Sequence, residues 1–536
     1  MKIAIYILLG TVILLFFAVF GIERWLGARI RRAAVREMAG LTGGTLRLEI
    51  GRVRVSLLHR AVTLYDMTIG ADTSKTGRCL PGVDSLGAEI DKIALRSVRF
   101  RFGGTSPYIA VGSLEIDGLR VTLATDGQNP AGTTEMPAAQ EICDRITQRT
   151  GDLTIGRIRL RNADVRISDG IRNSYAAKGL SAEADRFRMA GGQTVQPYFC
   201  DDIRLSADKV SARFPTTAQL FEADTFRAGL RDGGLSMRHA RLIPQYGKAE
   251  YAWKTIRHTD WTQALAGSIE AGGIDFGLLW SDTLLSIDRV EVKDVEIASY
   301  KNRRIVRQER FKPMLHEMVR NAPFGLSVGR IGIANGHAVY EELSAAGEKP
   351  GRIVFDNLNG VFRGITNRPG TADAVYTRTA TGRVMDAALL RVACRFPAHP
   401  SNDRFEAEGT LGPANLRIFN RILEPLAEAG VRSGHLDGLS FAITGDGREA
   451  EVEMKMRYTD LSVTMLREDA GGRKRERRLM SGLVNLMLIK SSNPDRKGLR
   501  IVRSTAVRDT SRSQFNYLWK TLLTGIKGSV GFPGAK

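Results

Sequence analysis

The sequence predicts a mainly β protein: an N-terminal transmembrane helix, then an elongated, curled antiparallel β-sheet forming a groove, with a few short covering helices and an amphipathic C-terminal helix. Three observations predict this class. An uncharged stretch opens the chain, alternation of aliphatic and polar residues takes over from about residue 45, and Asx-Gly pairs recur between alternating stretches. Such alternation is typical of strands with one apolar face, and Asx-Gly pairs favour hairpin turns.

The opening stretch, within residues 1–25, is the predicted membrane anchor. No charged residue occurs from Ile3 to Ile22, and about 20 helical residues span a hydrocarbon core of about 30 Å. The alternative is a cleaved signal peptide, but its apolar core is ordinarily about 7–15 residues long, and no A-x-A cleavage site follows here. The anchor positions that we select are Ile3, Ile7, Leu14, Phe17, Phe20 and Ile22.

The arginines that follow the anchor leave its orientation open. Residues 26–44 are predicted as a juxtamembrane helix or linker, and they are rich in arginine. Taken alone, the positive-inside rule would place the bulk of the chain in the cytoplasm. Long domains are translocated largely regardless of such charges, so the direction has to come from the rest of the sequence.

The composition limits the class of partner. The 536 residues carry a formal net charge of +20, which favours anionic lipid, anionic polysaccharide or nucleic acid. Aromatic residues make up only 7%, which argues against the stacking platforms of single-strand binding, so a nucleic-acid partner is not expected. The four cysteines, far apart and without a CxxC pair, allow either disulfides or buried thiols.

A strand unit recurs through the predicted β body, residues 45–410. It reads Leu-x-Ile/Val, then Gly or Asp, a charged residue, and alternating aliphatics, and its copies begin at Leu48, Ile109, Leu153, Leu285 and Leu326. The alternation slips at Gly156 and Gly329, which predicts a β-bulge or sharp bend there, and again at Asn162-Ala163 and Asn335-Gly336, which predicts a tight turn or another bulge. Tight turns are predicted at Asp126-Gly127, Asp169-Gly170, Asp232-Gly233, Asn359-Gly360, Asp437-Gly438 and Asp446-Gly447.

A sheet with one apolar face must cover that face. An open trough and a closed β-sandwich are equally compatible with the pattern. Few helices are available for covering; the candidates are Glu141–Arg149, Phe311–Asn321, Leu416–Ala429, Arg478–Leu488 and Gln514–Lys527. The candidate groove residues are Ile109, Val111, Ile155, Ile158, Leu160, Val290, Val292, Val328, Ile331 and Ile333.

Basic residues form two features. Arg157, Arg159 and Arg161 alternate along one strand, where a solvated sheet face is favoured over head-group binding. A basic run precedes an apolar helix candidate, and it is either a solvated loop or a contact with an anionic surface, formed by Arg473, Lys474, Arg475, Arg477 and Arg478.

No catalytic site is predicted. The histidines form neither H-x-H nor H-E-x-x-H, and the chain has no P-loop sequence. Residues 325–329 have the G-x-S-x-G spacing, but they overlap the strand unit that begins at Leu326, so no nucleophile elbow is expected there. We therefore expect a protein that is not an enzyme, with no catalytic residue, metal site or cofactor.

The order of features resembles the AsmA-like family of bacterial inner-membrane proteins, kin to TamB in the bridge-like lipid-transfer superfamily. The anchor and the Leu48–Leu64 strand unit carry this resemblance at one end. At the other, in the predicted C-terminal region 411–536, it rests on residues 423–425, the Ser433-Gly434 and Leu436 to Phe441 step, residues 456–461, and a closing helix that starts near Phe515.

The resemblance implies a single-pass inner-membrane protein with its bulk in the periplasm. It would act in outer-membrane biogenesis, binding phospholipid or another anionic lipid in an apolar β-groove, alongside possible envelope protein partners. The alternative from a different class is a non-enzymatic envelope scaffold or tether with a closed β core. A third hypothesis is binding of an anionic polymer through the net positive charge.

Overall fold

The computed structural model describes residues 23–39, 46–71, 83–101, 108–125, 151–170, 173–190, 199–255, 259–281, 283–305, 310–368, 375–397, 404–468, 474–476 and 489–532. The chain divides into two compact units. The N-terminal unit is Met1–Pro215 with Leu220–Met237, and the C-terminal unit is Thr216–Gln219 with Arg238–Lys536. Strands dominate both, with few short helices, which confirms the predicted fold class in its main features.

The predicted anchor positions from Ile3 to Ile22 lie outside the described residues. Helix α1 covers residues 23–39, where a juxtamembrane helix or linker was expected. Glu23 accepts a hydrogen bond of 2.7 Å from the backbone N–H of Leu57, which ties the start of α1 to the first hairpin. Within the described part of the chain, no helix combines the length and the apolarity that a bilayer span requires.

The N-terminal unit is built from strands. These are β1 (Leu46–Ser56), β2 (Ala61–Ala71), β3 (Val83–Arg96), β4 (Arg99–Arg101), β5 (Tyr108–Thr125), β6 (Asp152–Asp169), β7 (Asn173–Met189), β8 (Asp202–Phe214) and β9 (Gln219–Gly229). Antiparallel pairing joins β1 to β2, β2 to β3, β3 and β4 to β5, β6 to β7 and β7 to β8. Strands β5 and β6 are parallel.

The C-terminal unit follows β10 (Gly234–Pro244), which spans its boundary. Its strands are β11 (Trp261–Gly272), β12 (Leu284–Asn302), β13 (Gly325–Leu343), β14 (Gly351–Thr366), β15 (Val375–Val384), β16 (Ala388–Pro397), β17 (Phe405–Leu411), β18 (Ala414–Asn415), β19 (Ala429–Gly445), β20 (Glu449–Glu468), β21 (Lys474–Glu476) and β22 (Ile501–Val507). From β11 to β17, each strand pairs with the next; β17 then pairs with β19, β19 with β20, and β20 with β22.

The C-terminal unit also contains helices between and after its strands. They are α2 (Tyr251–Lys254), α3 (Phe276–Ser281), α4 (Leu315–Arg320), α5 (Asn420–Ala427) and α6 (Gln514–Ser529). The predicted helix at Phe311–Asn321 is shorter than expected, the one at Leu416–Ala429 is a 3₁₀ turn (Leu416–Phe419) followed by α5, and the C-terminal one is α6. The candidates at Glu141–Arg149 and Arg478–Leu488 lie outside the described residues.

Four copies of the strand unit pair with each other, and they do so in parallel. The copy at Ile109 aligns with the copy at Leu153, and the copy at Leu285 aligns with the copy at Leu326. The expectation of a wholly antiparallel sheet is therefore wrong at these two pairs. Parallel neighbours need a long crossover, and the copies are separated by enough chain to provide one.

Bulges occur at the same level in neighbouring strands. Register shifts follow Leu160 in β6 and Ile333 in β13, as predicted, and Asn162 and Asn335 there have φ of 53° and 54°. At Gly156 and Gly329 the pairing skips one residue on each strand, Gly156 with Gly112 and Gly329 with Asp288, so the register does not shift there. The glycine is required sterically, because a Cβ atom at Gly156 would lie 2.7 Å from the carbonyl oxygen of Gly112.

A second set of positions skipped by the strand pairing places glycine opposite aspartate. The skipped positions in β1, β2, β3, β5 and β6 form one line across the N-terminal unit, which we call the glycine–aspartate line; its members are Gly51, Asp66, Asp91, Gly118 and Asn162. The carboxyl carbon of Asp91 lies 2.4 Å from where a Cβ atom of Gly118 would be. A side chain at residue 118 would therefore collide with that carboxylate.

The Asx-Gly pairs divide between turns and bulges. Asp169-Gly170, Asp232-Gly233 and Asp446-Gly447 lie between consecutive strands, as predicted, whereas Asp126-Gly127 lies outside the described residues. Asn359-Gly360 and Asp437-Gly438 lie inside β14 and β19 and not in turns. Register shifts in the pairing occur beside both, because the same φ/ψ freedom that allows a turn also allows a bulge.

The C-terminal unit contains a closed aromatic core. Phe396, Phe405 and Tyr517 are at most 2% exposed, with ring centroids 5.7 Å apart for the first pair and 5.9 Å for the second. Helix α6 packs on β20 and β22 to cover this core. Burying each such large side chain contributes about 1.5–3 kcal/mol to the stability of the unit.

Candidate functional site

Two rows of aliphatic side chains cross the sheet of the N-terminal unit. Each row follows the pairing register through β1, β2, β3, β5, β6, β7 and β8. Directly paired residues share a face, and seven strands at about 4.8 Å spacing make each row about 29 Å long. One row is Val55, Val62, Leu95, Leu114, Ile158, Ala184 and Ile203; the other is Val53, Leu64, Ile93, Ile116, Leu160, Ala182 and Leu205. We call them the aliphatic rows.

The aliphatic rows remain partly accessible to solvent. Only Val55 is buried, Leu205 is 37% exposed, and the other members are half-buried. The described part of this unit contains one α-helix, α1, which contacts β1 through Gly27 and Val53. A sandwich core would bury the central strands of such rows. Within the described residues of the N-terminal unit, nothing forms a second layer over these strands.

The candidate groove residues fall into two groups, one in each unit. In the N-terminal unit, Ile109, Val111, Ile155, Ile158 and Leu160 are brought together by the parallel pair, with Val111 directly opposite Ile155. In the C-terminal unit, the pairs are Val290 with Ile331 and Val292 with Ile333, and Val328 lies opposite Ile287. Val111, Ile155 and Val328 are 6–7% exposed, whereas the remaining candidates are half-buried.

Sequence reasoning missed most members of the aliphatic rows, in particular those on β3, β7 and β8. Leu95, Ala184 and Ile203 belong to strands that lack the repeated unit. Their own alternation marks them as strand residues, but only the register across the sheet shows that they continue the rows.

The opposite face of this sheet carries an ion-pair network. The Arg157 Nε atom lies 3.1 Å from an oxygen of Asp185, and the Arg159 Nε atom lies 3.0 Å from Glu183. Arg204 reaches Glu183 and Asp185 at 3.1 and 2.9 Å. These contacts favour the interpretation of a solvated, charge-balanced face at Arg157 and Arg159 over head-group binding there.

The carboxylates of this network titrate below their ordinary range. The hydrogen bond from Arg159, with further contributions from Arg204, lowers the pKa of Glu183. Burial raises the pKa of Asp185, but hydrogen bonds from Arg157 and Arg204 outweigh it and the net direction is downward. Both groups therefore stay charged at neutral pH.

The basic run is described only in part. Residues 474–476 form strand β21, which pairs antiparallel with the end of β20, so Lys474 and Arg475 lie on a strand at the margin of β20. Arg473, Arg477 and Arg478, which belong to the same predicted anionic-surface site, lie outside the described residues.

The apolar stripe of the C-terminal helix is divided in the structure. Leu518, Leu522 and Ile526 pack against the core, whereas Phe515 is 61% and Trp519 39% exposed. The buried face is centred on small and polar residues, including Thr521 and Gly525. Close approach of α6 to β20 demands this, because a Cβ atom at Gly525 would lie 3.0 Å from Met454.

The described cysteines, Cys200 and Cys394, form no disulfide. Burial raises the pKa of both thiols, the opposite of what a nucleophilic cysteine requires. Among the described residues, no three His, Cys, Asp or Glu side chains are grouped closely enough to hold a metal ion. Comparisons of the chain with protein-family models and with curated protein sequences find no match.

Proposed function

We propose that the protein is anchored in the inner membrane by residues 1–25, and that its β body lies in the periplasm, where it binds and transfers or organises phospholipid along an apolar groove. The observation that carries this proposal is the pair of aliphatic rows. They offer about 29 Å of continuous aliphatic surface, half-buried and without a second layer among the described residues. Acyl chains are the ligand that such a surface suits, because burying apolar area contributes about 25 cal/mol per Å².

The binding step is tested on the full-length protein, extracted in a mild detergent. Mass spectrometry of the purified protein is expected to detect bound phospholipid. Leu114→Asp places a carboxylate in the middle of one aliphatic row and is expected to remove most of that lipid. Thr122→Asp is the matched control, because Thr122 lies on the same strand at an exposed position.

Three results bear on this proposal. Loss of lipid in Leu114→Asp alone supports it. Wild-type protein that is folded by near-UV circular dichroism yet carries no phospholipid would refute it, as would equal lipid in both variants.

The proposed location is tested separately, with a C-terminal reporter enzyme that is active only outside the cytoplasm. Activity of the reporter supports a periplasmic β body, and a silent reporter on a stably expressed fusion contradicts it.

A non-enzymatic envelope scaffold is the second candidate function, and the closed core of the C-terminal unit favours it. Tyr376 on β15, Tyr458 on β20 and Tyr517 on α6 are at most 2% exposed, so the core around them is closed. A scaffold is expected to retain a protein partner after crosslinking in cells and purification, and Leu114→Asp is expected to leave that partner bound. Retention of lipid by the wild type and its loss in Leu114→Asp would instead favour the groove.

A further inference from the structure

A cavity of about 340 Å³ opens on the N-terminal unit, where the pairing of β5 with β6 skips Gly112 and Gly156. Its walls include three arginines, Arg99, Arg186 and Arg188. Its lining includes no residue of the ion-pair network and no residue of the aliphatic rows.

The register places two of these arginines on either side of a floor of small residues. Arg99 on β4 pairs with Ala110 on β5, Ala110 pairs with Thr154 on β6, and Thr154 pairs with Arg188 on β7. Arg99 and Arg188 thus share one face, three strand spacings or about 14 Å apart. Both arginines line the cavity between them.

The floor is open because it lacks bulky side chains. Ala110 and Thr154 contribute a methyl and a hydroxyl group, and glycine occupies the two bulge positions next to them. At these bulge positions the strand pairing skips Gly112 and Gly156. A hydroxyl group and exposed backbone between two arginines are suited to an oxyanion.

Among the residues that the structure describes, none of those that line the cavity is acidic. Arg186 forms an ion pair of 2.5 Å with Asp201, whereas Arg99 and Arg188 have no ion pair within the described residues. The cavity therefore keeps two guanidinium groups for an outside ligand.

A larger cavity of about 530 Å³ in the same unit provides the contrast. It is also lined by three arginines, but Glu49, Glu89 and Asp164 line it too. The Arg47 Nη2 atom lies 2.9 Å from Glu49, and the Arg120 Nε atom lies 3.0 Å from Glu89. Arginine alone is therefore common on this face, and an arginine pair without acidic partners is what distinguishes the smaller cavity.

We propose that the cavity walled by Arg99 and Arg188 binds the phosphate group of an anionic ligand. This inference rests on the proposed function in one respect: the phosphate then belongs to a phospholipid head group. Ala110 and Thr154 are the third residues of β5 and β6, and the adjacent Val111 and Ile155 point to the opposite face, so the acyl chains would reach the apolar face around the ends of these two strands. Val111 and Ile155, which also line the cavity, belong to the candidate groove residues. The same chemistry would accept a water-soluble phosphate ester, so the test separates the two sources.

The test uses the full-length protein in detergent and three probes. Short-chain phosphatidylglycerol and short-chain diacylglycerol carry the same acyl chains, with and without the phosphate, and glycerol phosphate carries the phosphate alone. Wild-type protein is expected to prefer phosphatidylglycerol over diacylglycerol by about tenfold, the ratio set by one charge-assisted contact. The double variant Arg99→Ala with Arg188→Ala is expected to lose that preference while it still binds diacylglycerol. Arg47→Ala, in the larger cavity, is expected to keep it.

The outcomes separate this inference from the proposed function. Unchanged preference in the double variant, with both lipids bound, overturns the phosphate site and leaves the groove. Preference lost equally in Arg47→Ala overturns it as well, because the effect would then be one of general charge. Glycerol phosphate bound by the wild type and not by the double variant, with neither lipid bound, supports a site for a soluble phosphate ester and refutes lipid binding. No binding of any probe refutes both.

Discussion

Replacing Gly156 by alanine tests the steric reading of the bulges. The added Cβ atom would lie 2.7 Å from the carbonyl oxygen of Gly112, a contact that real Cβ atoms essentially never make. The opposing atom is backbone, so it cannot rotate away, and the parallel pair β5–β6 must separate or change its bulge. Forcing extra volume into such a contact costs about 1–3 kcal/mol.

Gly87→Ala is the matched control. Gly87 lies on β3 of the same unit, and no heavy atom lies within 4 Å of its hypothetical Cβ atom. Alanine there is expected to stabilise the protein by about 0.4–1 kcal/mol, because it restricts the unfolded chain. The two variants should therefore differ by about 1.4–4 kcal/mol in the free energy of local opening.

Hydrogen exchange with peptide mass spectrometry measures that difference where it arises. Peptides from β5 and β6 are expected to exchange faster in Gly156→Ala than in Gly87→Ala, whereas peptides from the core of the C-terminal unit should be unchanged. Equal protection of β5 and β6 in the two variants would show that the bulge tolerates a side chain, and the argument for a required glycine would then fail.

Three further predictions concern other parts of the chain. Asn493→Ala is expected to lower the free energy of unfolding of the C-terminal unit in urea by about 3 kcal/mol. It removes the partner of the Met456 carbonyl group and of the backbone carbonyl and N–H groups of Arg500. A cost below about 1 kcal/mol would contradict this. Gly525→Val is expected to cost about 1–3 kcal/mol and to detach α6, seen as increased proteolysis of the C terminus; unchanged resistance would show that the helix can shift without loss. The pKa values of Glu183 and Asp185 are lowered in the folded protein, so their ion pairs stabilise the fold above the unfolded carboxyl pKa of about 4. This stability is lost as the pH falls through the lowered folded values. The double variant Glu183→Gln with Asp185→Asn should therefore show a shallower decline in the urea midpoint between about pH 5 and pH 3 than the wild type.

The strand content and the bulges could be predicted from the sequence because both are local. Alternation reports which face a side chain takes, and a slip in it, as after Leu160, reports an extra residue without reference to any neighbour. The same locality explains the errors at Asn359-Gly360 and Asp437-Gly438, since a pair that favours a turn favours a bulge equally.

Strand partners could not be predicted, because pairing depends on residues far apart in the chain. The copies at Ile109 and Leu153 are similar enough to lie side by side in parallel, yet similarity alone does not select that arrangement over antiparallel neighbours. The aliphatic rows and the arginine pair depend on this register. Arg99 and Arg188 are 89 positions apart, and only three successive pairings bring them to one face.

The glycine–aspartate line has a mechanical consequence for the N-terminal unit. Its skipped positions occur at one level in adjacent strands, and Asp66, Gly118 and Asn162 there have positive φ. The local bends therefore add up to a crease that runs across the sheet, parallel to the aliphatic rows. Strands can fold along such a crease while both aliphatic rows, which lie on the same side of it, keep their register. Substitutions at Gly118 or Asp91 should therefore alter the curvature of the sheet. The number of strands sets the length of its apolar surface, so curvature and length are controlled by different residues.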